Sequence, residues 1–350
     1  MSPRPHPLWE LTVSRIKIFF REPSAVFWTF GFPLILTVAL GIAFRNKPPE
    51  PVAAAVVRTG QGDAEALLSA LQRAPGFEAR LLDEPAARAA LRTGKVSLLV
   101  VPAAAGVPRT YLYDPTRPES RLARLAVDDA LQRAEGRRDP GAVAERKITE
   151  PGSRYIDFLI PGLLGMNLLG SGMWGIGYLI VELRTRKLLK RMLATPMKRR
   201  HFLASFVLMR MLFLLLELPV LVGFSWIFFD VGVNGSLWLF GALSSLGALS
   251  FAALGLLVAS RAENTQTVSG LINLVQMPMW MGSGVFFSTA RFPEAIQPLL
   301  KALPLTALND ALRAVMIDGA GARAIAPELA ILAAWTALPA LAALKLFRWR

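Results

Sequence analysis

A chain of 350 residues that is 53% hydrophobic and only 18% charged is too apolar for an ordinary soluble domain. Its 39 lysines and arginines against 25 acids give a formal charge of +14 that would suit a nucleic-acid binder, but the cations gather in short segments beside long apolar runs, so positive-inside membrane topology accounts for the charge and no nucleic acid is expected as a partner. The absence of cysteine excludes disulfides and thiolate metal sites, and the two histidines, His6 and His201, lie far apart in sequence and flank polar loops.

In chain order, residues 1–24 form a cytoplasmic leader. Its Leu8, Trp9, Leu11, Ile16, Ile18, Phe19 and Phe20 interleave with Arg15, Lys17 and Arg21, which predicts an interfacial elbow helix in the inner headgroup layer, turning upward at Pro23. Residues 25–44 carry no charge. Twenty residues at about 1.5 Å each cover roughly 30 Å, the thickness of the hydrocarbon layer. This first span is read as an anchor rather than a signal peptide, because it follows a 24-residue polar leader and has no convincing small-x-small cleavage site.

Residues 45–150 are polar and nearly neutral, and so long a loop is placed outside the cytoplasm whatever its charge. Alternation and punctuation by Gly and Pro predict strands at 52–57, 77–82, 96–101 and 110–113, with helices at 64–73, 85–92 and 119–134. The expectation is a small extracytoplasmic α/β domain, serving as a structural cap or, alternatively, as a docking surface.

Residues 151–350 hold five further predicted spans, 156–180, 202–229, 237–260, 265–287 and 327–346, making six transmembrane helices with both termini cytoplasmic. The side assignment follows from Arg4, Arg15, Lys17 and Arg21 in the leader, eight cations between Arg184 and Arg200, Arg261, and Lys345, Arg348 and Arg350. Gly170, Gly172 and Gly175 match G-x-G-x-x-G, but inside an apolar span; Ser171 and Gly175, at i and i+4, instead predict a face for close helix packing. No phosphate-cradling G-x-x-x-x-G-K-[ST] occurs, Gly94-Lys95 lacking its upstream glycine, and no nucleophile elbow or H-E-x-x-H is present. Any ATP is therefore expected on another chain.

Ionisable groups within spans are costly and usually face protein or water. Glu217 is the clearest case, lying mid-span with Arg210 two turns earlier on the same face. Seven residues make about 10 Å along a helix, from which no direct contact between them is expected. Glu217 is read either as satisfied by a neighbouring helix or, with Gln266, Asn273 and Gln276 of the fifth span, as lining a translocation path. Residues 288–325, broken by Pro293, Pro298 and Pro304, predict an outer re-entrant helical hairpin.

FFREPSAVFWTFGFPLILTVALGIAF at 19–44, YIDFLIPGLLG at 155–165, ELRTRKLLKRMLATPMKRRHF at 182–202, NLVQMPMWMGSGVFF at 273–287 and LPLTALNDALRAV at 303–315 together resemble the permease subunits of type-2 ABC transporters, bacterial exporters with a large external loop after the first span. Where that family's loop often reads Arg-Gly-Thr-Leu-Glu, this chain has Arg186-Lys187-Leu188-Leu189-Lys190. The resemblance implies a multi-pass protein of the bacterial cytoplasmic (inner) membrane that binds no cofactor itself. It further implies ATP and Mg on a cognate ATP-binding subunit, a second permease copy as homodimer or heterodimer, and an unknown transported substrate.

In this reading the loop 181–201 holds a coupling helix against the ATPase. Leu188, Leu189, Met192 and Leu193 would form its apolar ridge, Glu182, Arg184 and Arg191 its rim, and Thr195 and Pro196 its end. The alternatives from other classes are a mechanotransmission protein that regulates an envelope partner without transport, and an ATP-independent channel or carrier.

Overall fold

The computed structural model describes residues 7–43, 51–59, 63–103, 108–138, 141, 152, 154–189 and 199–346. It divides into two compact units, one of residues 46–148 and one of 1–45 with 149–350.

The smaller unit is built from β1 (Val52–Arg58), α4 (Ala64–Arg73), β2 (Phe77–Asp83), α5 (Glu84–Arg92), β3 (Leu98–Val101), β4 (Thr110–Leu112) and α6 (Pro118–Ala134). The sheet order is β2-β1-β3-β4, with β1 parallel to both neighbours and β3 antiparallel to β4. Because the chain crosses from β1 to one neighbour and then back over β1 to the other, right-handed crossovers put α4 and α5 on opposite faces. Side-chain alternation sorts the core accordingly. Ala54, Val56, Leu98 and Val100 pack with α4 and α6, whereas Ala55, Val57 and Leu99 pack with Ala87 of α5. Burial on both faces explains why β1 and β3 read as continuous apolar runs.

The larger unit is helical. It begins with α1 (Pro7–Arg21), a break at the extended Glu22, α2 (Pro23–Val26), a π-turn at Phe27–Gly31, and α3 (Phe32–Ala43). It continues with α7 (Tyr155–Gly172), a second π-turn at Met173–Tyr178, α8 (Leu179–Thr185), α9 (Arg199–Phe229), α10 (Leu237–Arg261), α11 (Thr265–Gly282), α12 (Gln297–Lys301), α13 (Pro304–Met316) and α14 (Ala326–Leu346). Among the described residues, 155–185, 204–229, 237–261 and 326–346 are long and apolar enough to cross a bilayer, and 27–43 is a shorter apolar helix. The chain is a multi-pass membrane protein.

One core joins α7, α10 and α13, with α14 lying along α10 and α1 lying on α9, where the Phe19 and Phe213 rings sit 4.3 Å apart. The run expected as one span to 287 ends instead at Gly282, because Gly284 takes a left-handed conformation (φ 69°) that turns the chain.

Small-residue packing also differs from the expectation. A Cβ added at Gly175 would meet nothing within 4 Å, whereas Gly172 and Gly177 press their backbone on Gly255 of α10. The π-turn is the reason: with i→i+5 bonding, residues five apart share a face. A Cβ at Gly177 would lie 2.8 Å from the Gly255 carbonyl oxygen. Gly177→Val is therefore expected to destabilise by about 1–3 kcal/mol, while Gly175→Ala stays neutral or gains up to about 1 kcal/mol from helix propensity. Denaturation midpoints of the two purified variants check this contrast; equal behaviour would remove the role given to the Gly172–Gly177–Gly255 contact.

Candidate functional site

Three of the polar constellations among the described residues of the helical unit hold residues singled out in the sequence, and each follows from a few side chains that apolar helices carry at specific depths. The first contains Glu217. Its Oε2 lies 2.6 Å from Nη1 of Arg210, and its Oε1 accepts a hydrogen bond from the Asn167 amide of α7. Glu217 is fully buried and Arg210 nearly so. The expectation of no contact is corrected: the axial separation is spanned because both residues share a face and the long arginine arm reaches along it. Nε and Nη2 of Arg210 have no partner among the described residues. Charge at this depth is thus held by one carboxylate, and Asn167 ties that carboxylate to α7.

The second constellation is α11, opened by Asn264, whose side chain caps the Thr267 N–H at 2.7 Å. The polar residues of this helix do not act together. Gln276 is buried and accepts a 2.9 Å bond from the indole of Trp174, in the π-turn of the second span. Gln266 and Asn273, two turns apart, lie on the exposed side of the helix. Neither adjoins Glu217 in a common site: Glu217 lies between α7 and α9, within the protein.

The third is the segment leading into the basic loop. Glu182 pairs with Arg186 at 2.7 Å. Arg184 turns inward, its Nη1 donating to the carbonyls of Ala259 at 2.9 Å and Ala262 at 2.6 Å, where α10 ends. The helix stops as Lys187 takes a left-handed φ of 58°. Leu188 is half-buried, and Leu189, only 2% exposed, packs into this chain's own core. Arg191, Met192, Leu193, Thr195 and Pro196 lie outside the described residues.

A further knot was not anticipated from the sequence. Arg313 of α13 donates through Nε to the Phe158 carbonyl at 3.2 Å and through Nη2 to the Gly284 carbonyl, lies 3.4 Å from Asp310, and stacks 3.7 Å from the Phe158 ring centroid. Asn309 donates to the Ser283 carbonyl at 2.9 Å, and the Tyr155 hydroxyl to that of Phe286 at 2.6 Å. Together these bonds fasten the end of α11 and all of α13 to the first turns of α7. At the start of α7, Asp157 accepts from Gly152 N, from Arg154 N and from the Arg154 guanidinium. That guanidinium, beside the Asp157 carboxylate, is held above its ordinary pKa. An acid in the first turn of the predicted span, three residues after Arg154, was the available signal for this cap; nothing in the sequence pointed to the carbonyl partners of Arg313.

The sequence profile described as ABC-2 family transporter protein matches residues 23–345, and no curated protein matches the chain at a significant level. The match runs from the start of α2 to the last turn of α14, so it takes in the glutamate cluster, the α11 amides and the Arg313 knot alike. A mostly helical membrane protein matched over nearly its whole length in this way belongs to the ABC-2 transporter family, the permease subunits of type-2 ABC transporters.

Proposed function

We propose that this chain is the translocation subunit of an ATP-driven exporter in the bacterial inner membrane. In this reading the helical unit crosses the bilayer six times, with α2–α3 and α11 added to the four longest spans. The helix α1 lies in the inner headgroup layer, residues 46–148 stand outside the cytoplasm, and 288–325 form an outer re-entrant segment. A separate ATP-binding subunit docks on the basic loop 181–201 from the cytoplasm, and two permease copies enclose the path.

The observation that carries the proposal is the exposed face of α11. Gln266 and Asn273 project from a helix that otherwise presents Leu274, Met277 and Met281 outward. Amides facing hydrocarbon would go unsatisfied, so this face suits water or a second polar helix rather than lipid. Glu217, held by Arg210 and Asn167 inside one copy, acts in this reading as a structural tie beside the path and not as its lining. At the docking loop, Glu182, Leu188, Arg191, Met192, Leu193, Thr195 and Pro196 remain for contact with the ATPase, while Arg184 and Leu189 are engaged with this chain.

One experiment tests both halves of the proposal. An Asn273→Cys variant is purified gently from its native membrane, and what accompanies it is identified. A P-loop ATPase in about equal amount, together with maleimide labelling of Cys at 273 that changes several-fold between nucleotide-free and ATP-vanadate states, is the expected result. No ATPase with the chain still folded, or labelling indifferent to nucleotide, would overturn it.

A further inference from the structure

Resting on the exporter reading, we infer that α8 is a lever carried by the α10–α11 corner, with the π-turn Met173–Tyr178 as its hinge and Arg184 as the residue that fixes it there. The second span is not one rod. Above the π-turn, α7 is fastened to its surroundings by the Asn167–Glu217 bond to α9, by the Arg313 bond to the Phe158 carbonyl, and by the Tyr155 hydroxyl on Phe286. Below the π-turn, α8 is fastened elsewhere, by the two Arg184 bonds to the carbonyls of Ala259 and Ala262. Those carbonyls lie at the negative end of the α10 dipole, which a guanidinium favours.

Between the two sets of fastenings the backbone departs from α-helix. A π-turn carries one residue more per bonded ring than its neighbours, so relaxing it to α-helix turns everything below by about 100° for each residue of register. The local packing permits that motion. Gly172, Gly177 and Gly255 meet backbone to backbone, with Phe251 packed against Gly172, and a side-chain carbon at Gly175 would meet nothing within 4 Å. An apolar cavity of about 210 Å³ lies beside the hinge, with Ile176 and Ile180 on one wall and Val207, Ala252, Leu256 and Ala340 on the others. Trp174 marks the pivot, bonded to Gln276 of α11.

The consequence concerns where force enters. The basic loop follows α8 directly, so a push on the loop by nucleotide-driven closure reaches α10 and α11 through Arg184, while α7, which shares the core with α10, is tied by hydrogen bonds to α9 and α13. The helix that bears the exposed amides, α11, begins just past Ala262, the second carbonyl that Arg184 holds.

The chain contains no cysteine, so paired spin labels can be placed without background. Thr185, Arg261 and Leu216 are exposed, on α8, α10 and α9 respectively. Distances are measured for Thr185→Cys with Arg261→Cys and for Thr185→Cys with Leu216→Cys, in the complex purified with its ATPase and reconstituted in lipid, without nucleotide and with Mg-ATP and vanadate. The expected result is a change of about 2 Å or more in the second distance, the scale of known helix shifts, with the first unchanged.

In an Arg184→Gln background the first distribution is expected to broaden, and in Arg184→Lys, which keeps a cationic donor, to stay narrow. A change in the first distance as large as in the second, no change in either, or no effect of Arg184→Gln would overturn the lever while leaving an ATPase-bound exporter in place. Absence of any ATPase from the preparation would overturn the exporter reading, and the lever with it.

Discussion

Glu217→Leu is expected to destabilise the helical unit by about 3–5 kcal/mol, because it leaves the Arg210 guanidinium buried without its counter-charge. Arg210 has no second anion among the described contacts, and two of its nitrogens already lack partners. The double variant Arg210→Met, Glu217→Leu removes the stranded charge and should recover most of the loss, since a well-packed apolar pair often replaces a buried ion pair without penalty. Thermal denaturation of the detergent-solubilised protein, followed by tryptophan fluorescence, compares the three forms. A double variant as unstable as Glu217→Leu would show that the carboxylate matters for something other than holding the arginine, and would return it to the list of path-lining groups.

Arg313→Met should be the next most damaging change, at about 3–4 kcal/mol. It leaves the carbonyls of Phe158 and Gly284 without their charged donor, at roughly 1.5–3 kcal/mol for each such bond, and it removes the stacking on Phe158, while the apolar chain of methionine refills most of the volume. Arg313→Lys should fall between, because an ammonium can reach one carbonyl but cannot form the planar fork. Limited proteolysis gives a readout that global unfolding does not. Cleavage confined to 283–303, with α9 and α10 still protected, is expected for Arg313→Met. Unaltered protection there would mean that Arg313 does not fasten the end of α11 to α7.

Several features of this fold were legible along the chain because local chemistry fixes them. The patterns at 52–57 and 77–82 correspond to strands at Val52–Arg58 and Phe77–Asp83, and the amphipathic run at 64–73 to a helix with those bounds. Alternation of two and periodicity of 3.6 are properties of the backbone itself, so neighbouring residues suffice to reveal them. The long apolar helices were equally plain, since a run of apolar residues must be buried in lipid or protein wherever it lies.

The site was less legible. Arg210 and Glu217 were recognised as neighbours on one face, but the contact depends on side-chain reach, which axial spacing ignores. Leu189 reads as part of an exposed apolar ridge, yet whether a leucine in a basic loop faces a partner or its own core is settled by what packs above it. Arg184 looked like one cation among eight in the loop; its distinction is that the end of α10, more than seventy residues later in the chain, leaves two carbonyls within its reach. The π-turn at Met173–Tyr178 was not read from the sequence, because hydropathy does not distinguish it from α-helix; in the structure it carries the contact of Gly177 with Gly255 and the bond of Trp174 to Gln276.

By itself, then, the sequence determined that the chain lives in a membrane, that four of its six expected spans form helices long and apolar enough to cross it, and that a folded α/β unit follows the first apolar segment, since hydropathy and short-range periodicity act through residues close in the chain. Tertiary structure alone decided which of the scattered polar groups meet: Glu217 with Arg210 and Asn167, Gln276 with Trp174, Arg184 with the end of α10, and Arg313 with the turn after α11. A buried polar group is costly until it finds a partner, and in an apolar bundle that partner is supplied by whichever helix packs alongside, at a distance in sequence that no local rule encodes.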